Sequence, residues 1–221
     1  MKNKILLRAV GLMSIALFFA ACHENGEALF FEDGETILGI QPFGNISDKE
    51  VDSVKAAVEK MYDFEVIVYE VVDIPPNAYT EIRYPRYRAD TLVEWLSNEV
   101  PDSIDMLLGL TNEDISITKY KDAKRKAIKH PEWQYRDFGI FGLGRLGGNA
   151  CVVSSNRLHK DVGDKLFYKR LTRISCHEVG HVLGLSHCPE PKCLMNDANE
   201  SIKTIDKSTG ELCESCWDDI H

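Results

Sequence analysis

Four residues between positions 177 and 187 have the types and spacing to run a hydrolysis. His177 and His181 stand four apart in the run His177-Glu178-Val179-Gly180-His181. On a helix that offset stacks two imidazoles on one face, one turn apart, where both can grip a single metal ion. Gly184 follows three residues later and lets the backbone leave the helix at positive φ. A sharp turn there returns His187 to the same ion. Three neutral ring nitrogens leave a fourth position to solvent, the arrangement of a catalytic rather than a structural zinc. Glu178 is not needed as a ligand, and it is placed to take a proton from the attacking water and hand it to the leaving amine. Zinc acidifies that water to a pKa of about 7 and polarises the attacked carbonyl. The bland alternative is a surface helix that carries two histidines by chance. Gly184 and His187 at the required offsets count against it.

Six of the seven cysteines follow residue 150. Cys213 and Cys216 form a CxxC, and Cys188 and Cys193 a wider knuckle. Two knuckles of four thiols suit a tetrahedral structural zinc site. In an exported chain they suit two disulfides as well, and spacing alone does not choose between them.

Together these residues resemble the archaemetzincins (archaelysins), a family of metzincin zinc metallopeptidases. The family pattern runs HExxHxxGxxHC, four residues, C, one residue, M, seventeen residues, then CxxC. Here it falls on His177-Glu178, His181, Gly184, His187-Cys188, Cys193, Met195, Cys213 and Cys216, with every spacing kept. Before it, the stretch from Phe138 to Arg157 is similar, more loosely, to the family's edge-strand region. The resemblance implies an α/β (α+β) fold: a metzincin-like, two-lobed domain with a mixed twisted sheet, a long active-site helix and an irregular, zinc-bound C-terminal part. It implies two zinc ions, one catalytic on His177, His181 and His187 and one structural on the four cysteines, which favours zinc over disulfides. Glu178 is then the general base and Met195 the Met-turn residue, an apolar floor beneath the ligands. A peptide or protein substrate would lie along the edge strand through Phe138, Gly139, Ile140, Phe141 and Gly142. Asn196-Asp197 follow Met195, so no tyrosine two residues on can swing onto the metal. Cys151 and Cys176 lie outside the pattern and read as buried small side chains, with a mutual disulfide as the lesser alternative.

The elements that must position these groups are legible in outline. The chain has 221 residues, 44% hydrophobic and 28% charged, with net charge −9 and a pI near 5.3. That composition excludes extended disorder, collagen and coiled coil, and the acidity argues against nucleic acid as a main partner. Thr36 to Phe43 reads as a strand. Ser47 to Glu50 is a capping box that opens a helix carrying Val51, Val54, Val58 and Met61. Phe64 to Val72 and Ile104 to Leu110 read as strands, and Asp90 as the cap of a helix through Leu96. Phe138 to Gly144 and Ala150 to Ser154 read as further strand pieces, and Gly163 to Gly184 as one long helix. The basic run over 117–136, with Lys119, Lys121, Lys124, Arg125, Lys126 and Lys129, reads as a solvated helix or loop, or as a steering patch for acidic ligands or lipid headgroups. Gly142 to Gly147 matches GxGxxG, but no helix N-terminus follows to hold a pyrophosphate, so dinucleotide binding is set aside.

The chain begins with Lys2, Lys4 and Arg8, an apolar stretch from Gly11 to Ala20, and Ala20-Ala21 before Cys22. The apolar core is too short to span a membrane and reads as a secretory signal. Small residues ending at a cysteine resemble the bacterial lipoprotein box, with Phe19 in place of the commoner leucine. The expectation is a signal over 1–21, lipidation at Cys22, a tether over 22–35 and a single catalytic domain over 36–221, divided into an upper lobe (36–184) and a lower lobe (185–221). The protein is then an exported, membrane-anchored lipoprotein of the bacterial cell envelope. The expected function is zinc-dependent hydrolysis of peptide bonds. The rival is a membrane-anchored, zinc-stabilised binding module with little or no turnover. Oligomeric state is left open. Radioactive palmitate should label the wild-type chain and not Cys22→Ala; equal labelling of both would reject the anchor.

Overall fold

A computed structural model describes residues 36–122, 124–198 and 201–220; the secretory signal, Cys22 and the tether lie outside them. In chain order the strands are β1 (Ile37–Phe43), β2 (Glu65–Val68), β3 (Tyr79–Thr80), β4 (Arg86–Arg88), β5 (Met106–Thr111), β6 (Ile115–Ile117), β7 (Phe138–Ile140), β8 (Gly142–Gly144) and β9 (Ala150–Ser154). The helices are α1 (Asp48–Tyr62), α2 (Ala89–Glu99), α3 (Glu132–Tyr135), α4 (Asp164–Val182), α5 (Ile202–Lys207) and α6 (Glu214–Asp218).

The larger sheet has the order β2-β1-β5-β9-β8, with the first four strands parallel and β8 antiparallel at the edge. Its strands are apolar on both faces, as a sheet covered on both sides requires. Leu38 and Ile40 on β1, Leu108 and Leu110 on β5 and Val153 on β9 turn to one face. There they meet Val54 and Val58 of α1 and Phe167 and Leu171 of α4. Phe43, Leu107 and Val152 turn to the other face and meet Leu92, Val93 and Leu96 of α2. Each buried side chain of this kind contributes about 1.5–3 kcal/mol. The smaller sheet, β3-β4-β6-β7, continues from the end of β5. This mixed α/β architecture is the fold class expected from the residues.

The α1 capping box forms as expected. Ser47 Oγ accepts from the Glu50 N–H, and the Glu50 carboxylate accepts from the Ser47 N–H. Three boundaries differ from the sequence reading. The expected strand from Phe64 to Val72 pairs continuously only to Val68, because Pro42 on β1 has no N–H to donate. Tyr69 N–H still reaches Ile40 O, and the ladder resumes one residue late, with Val72 N–H on Pro42 O. Gln41 Nε2 fills the gap by donating to Glu70 O at 2.8 Å. Asp90 is not the cap of α2. Arg88 holds that position, and its guanidinium folds onto the Asp90 carboxylate in the first turn. The expected strand from Phe138 to Gly144 is split at Phe141, with β7 in the smaller sheet and β8 in the larger.

The run over 117–136 is neither a long helix nor featureless. It leaves β6, doubles back with Tyr120 bridged to Ile128, and returns through α3. All six described cysteines, Cys151 and Cys176 included, are free thiols. Ser47→Ala should remove the capping box at a cost of about 1 kcal/mol. Thermal denaturation should show a Tm lower by roughly 2–4 °C.

Candidate metal centre

Helix α4 runs 19 residues from its cap at Gly163 to Val182. It stops because Gly184 takes φ +95. The Leu185 N–H bonds to Gly180 O at 2.9 Å and the Gly184 N–H to His181 O at 3.0 Å. This paired closure satisfies the last carbonyls and needs a residue free of the Cβ penalty at positive φ. The chain reverses, and the ring of His187 comes to 5.5 Å from that of His177 and 4.9 Å from that of His181, centroid to centroid. One ring nitrogen from each histidine lies within 4.8 Å of the other two.

Two of these rings have their outer nitrogens committed. His177 Nδ1 lies 2.8 Å from Leu194 O and His181 Nδ1 2.7 Å from Leu185 O. A carbonyl only accepts, so each Nδ1 carries the proton and each Nε2 keeps its lone pair for a metal. Burial, with help from the neighbouring His181, pushes His177 down to about 4, and burial also lowers His181. Both rings are therefore neutral near pH 7, as metal ligands must be. Asp197 Oδ2 stands 3.9 Å from His187 Nδ1.

Glu178 is buried on the wall beside them. Burial raises its carboxyl to about 8, opposed by the Gly144 backbone N–H that bonds to it. That contact requires α4 and β8 to touch. A Cβ on Gly144 would sit 2.5 Å from Glu178 O, and one on Gly142 would sit 2.6 Å from Glu178 Cγ. The GxG that failed as a dinucleotide motif is thus a packing requirement of the helix that carries the histidines. Ser154 N–H bonds to Phe141 O and Arg145 N–H to Ala150 O. By the alternation of an antiparallel ladder, the polar backbone groups of Gly142 and Gly144 face away from β9, toward the cleft. Met195 is fully buried against Gly180, whose Cβ would meet Met195 Sδ at 2.6 Å.

The four late thiols converge. Cys188 Sγ is 3.7 Å from Cys213 Sγ, Cys193 Sγ is 3.9 Å from Cys216 Sγ, and all four lie within 4.8 Å of one another. A disulfide needs about 2.05 Å, whereas ligands 2.3 Å from one zinc in a tetrahedron stand about 3.8 Å apart. Backbone N–H groups of Met195 and Cys213 point at Cys193 Sγ, and that of Glu190 at Cys188 Sγ, each at 3.4 Å. Donors aimed at sulfur favour thiolates, which is the state a zinc ligand requires. The Cys216 N–H draws the Cys213 thiol below its ordinary value, whereas burial pushes the Cys188 and Cys216 thiols up. Both donor sets therefore fit a zinc ion.

A cleft of about 710 Å³ runs over the histidines, and all five residues from Phe138 to Gly142 line it. Sequence reasoning missed the two leucine carbonyls and Asp197, and it missed Arg83, Arg86 and Arg157 on the cleft wall. Backbone acceptors leave no mark in residue type. Arg83 and Arg86 come from the chain at and just before β4 and Arg157 from the segment after β9, with no motif that joins them.

The profile of Peptidase family M54 matches residues 37–221. An archaemetzincin of Haloarcula marismortui is 30% identical over 188 residues, covering 81% of this chain and 96% of the relative. One from Haloquadratum walsbyi is 29% identical over 188 residues with the same coverage. The crystal structure of archaemetzincin from Archaeoglobus fulgidus complexed with malonate superposes with a TM-score of 0.65 at 27% identity, covering 84% of this chain and 100% of that one. That from Methanopyrus kandleri gives 0.65 at 28% identity, covering 86% and 96%.

Gly144→Ala should force β8 off α4 and cost about 1–3 kcal/mol. A lowered Tm in the purified variant checks this, and an unchanged Tm would show that the two elements have room to spare.

Proposed function

The chain belongs to Peptidase family M54 with the archaemetzincins, it is a zinc metallopeptidase acting on peptide or protein substrates, and on that premise we propose how its own residues divide the work. His177, His181 and His187 hold the catalytic zinc. Cys188, Cys193, Cys213 and Cys216 hold a second, structural zinc. When bound, the catalytic ion supplies Lewis acidity, which acidifies water to a pKa of about 7 and polarises the scissile carbonyl. The Glu178 carboxylate accepts the proton of the attacking water and releases it to the leaving amine. Burial raises its proton affinity and the Gly144 N–H opposes the rise, and a base that must later act as an acid works best between these limits.

The substrate adds as an extended strand along the exposed edge of β8, where Gly142 offers its backbone groups, with Phe138 to Phe141 as the adjoining wall. Met195 holds the floor beneath the rings. The domain divides at Gly184 into an upper lobe over 36–184 and a lower lobe over 185–221. The enzyme is tethered to the bacterial cell envelope through lipid on Cys22, on the strength of the sequence motif alone.

One observation carries this reading: three imidazole nitrogens gathered within 4.8 Å beside a buried carboxyl. Family membership weighs for the hydrolase and against the binding module. Digestion of a peptide library by wild type and by Glu178→Ala tests the division of roles. Cleavage should fall by about 10²–10⁴-fold in the variant, with the same zinc content, two ions per chain and no disulfide. Retained cleavage would remove Glu178 from the mechanism. One zinc with two disulfides would overturn the four-thiol assignment and leave the histidine site standing. No cleavage by correctly folded wild type would restore the binding module.

A further inference from the structure

The segment after β6 forms a tongue beside the cleft. Lys121 N–H bonds to Ala127 O at 2.9 Å and Lys129 N–H to Lys119 O at 2.9 Å, so the chain runs out and back as a short hairpin. Its root is cleft wall, since Ile117, Lys119 and Gln134 line the same cavity as the histidines. A polypeptide lying along β8 and β7 therefore leaves the cleft against the tongue.

The tongue has a charge of its own. Residues 117–136 carry seven Lys and Arg against two Asp and Glu, in a chain of net charge −9. Lys121, Lys124, Arg125 and Lys126 are exposed and have no carboxylate partner among the described residues. The cations deeper in the cleft are spent. Arg86 and Arg157 share Asp114, at 2.7 and 2.5 Å, and Arg173 donates to Ile205 O at 2.8 Å. Arg83, also on the cleft wall, lies over the Trp133 ring, 4.7 Å from its centroid. Solvated faces mix their signs, and a face of one sign raises the local concentration of the opposite charge.

We propose that this tongue is the docking surface for an acidic stretch of the polypeptide substrate, placed a few residues from the scissile bond. The proposal rests on the peptidase reading above. An anionic bilayer is the other occupant such charge suits. Two placements favour the peptide. The root of the tongue is part of the cleft, and the chain reaches it through β6, just past the C-terminal end of β5, whereas the chain enters β1 at the opposite end of the parallel strands. Thr36, the first described residue, thus lies at the end of the sheet away from this face.

Charge of this kind acts on encounter and binding rather than on chemistry, so it belongs in KM and in salt dependence. The test uses the zinc-loaded protein, a triple variant Lys124→Glu, Arg125→Glu, Lys126→Glu, and fluorescein-labelled hexaglutamate and hexaglutamine read by anisotropy. Hexaglutamate should bind about tenfold tighter than hexaglutamine. The difference should vanish in the variant, and in wild type on raising salt from about 0.02 to about 0.3 M. For any library peptide that is cleaved, acid-flanked and neutral-flanked versions should differ in KM, and that ratio should fall toward one in the variant. Equal binding of the two peptides, or a preference that survives the variant, would overturn the proposal. So would a variant that loses only sedimentation with vesicles of equal phosphatidylserine and phosphatidylcholine, which would assign the tongue to a bilayer. Selective hexaglutamate binding without any cleavage would sink the peptidase reading alone. Cleavage without acidic preference would sink this inference alone.

Discussion

Two hydrogen bonds, from Nδ1 of His177 to Leu194 O and from Nδ1 of His181 to Leu185 O, govern everything the cleft can do. They choose the tautomer, aim the other ring nitrogen inward, and stop the imidazoles from turning. Both acceptors lie beyond Gly184, so helix α4 cannot orient its own ligands. It depends on a segment with little core of its own: among the described residues, its local cluster has Leu185, Cys193, Met195 and Cys216 as buried members, and Leu194 joins the main core. So few apolar side chains do not fix a fold. The thiol cluster takes their place, with Cys188 next to His187 and Cys193 next to Leu194 in the chain. Order passes from sulfur to carbonyl to imidazole.

The opposite wall imposes a different constraint. Glu178 must be dry enough to hold a proton and close enough to reach the cleft. That condition is met by bringing a strand edge within van der Waals contact of α4 at Gly142 and Gly144. A third tie, from Tyr62 Oη to Cys176 O at 2.6 Å, joins the end of α1 to α4 one residue before His177. The helix is thereby held from the sheet edge, from α1 and from the reversed chain, which leaves the ligand face little freedom. The half-buried Arg86–Asp114–Arg157 arrangement does similar service for the smaller sheet. Burial alone would raise Asp114, but the two guanidinium groups outweigh it and hold the carboxyl below its ordinary range.

How much of this was legible in the sequence follows from how local each signal is. The capping box at Ser47, the turn at Gly184 and the offsets of His177, His181 and His187 are decided within a few residues, and spacing exposed them. The strand after Phe64 was overread, because its limit is set by Pro42 on its neighbour. Asp90 was misread as a cap because the competing partner, Arg88, is recognised only by its contact. β3, β4 and β6 are two or three residues long, and β4 and β6 pair with distant chain, so no periodicity announced them. Phe138 to Gly144 was read as one strand since nothing in its residues marks the passage from one sheet to another at Phe141. The thiols were ambiguous until their separations were known.

Capacity for metal and capacity for hydrolysis are inherited differently along this chain. Every proposed ligand, and every carbonyl that steadies one, sits in one continuous stretch from His177 to Cys216. The dryness of Glu178 comes from outside that stretch, from the edge strand at Gly142 and Gly144. A graft of the ligand-bearing stretch onto foreign scaffolding carries its ions along and arrives as a mere chelator. The catalyst emerges only where host and insert share a seam as tight as the one these glycines permit.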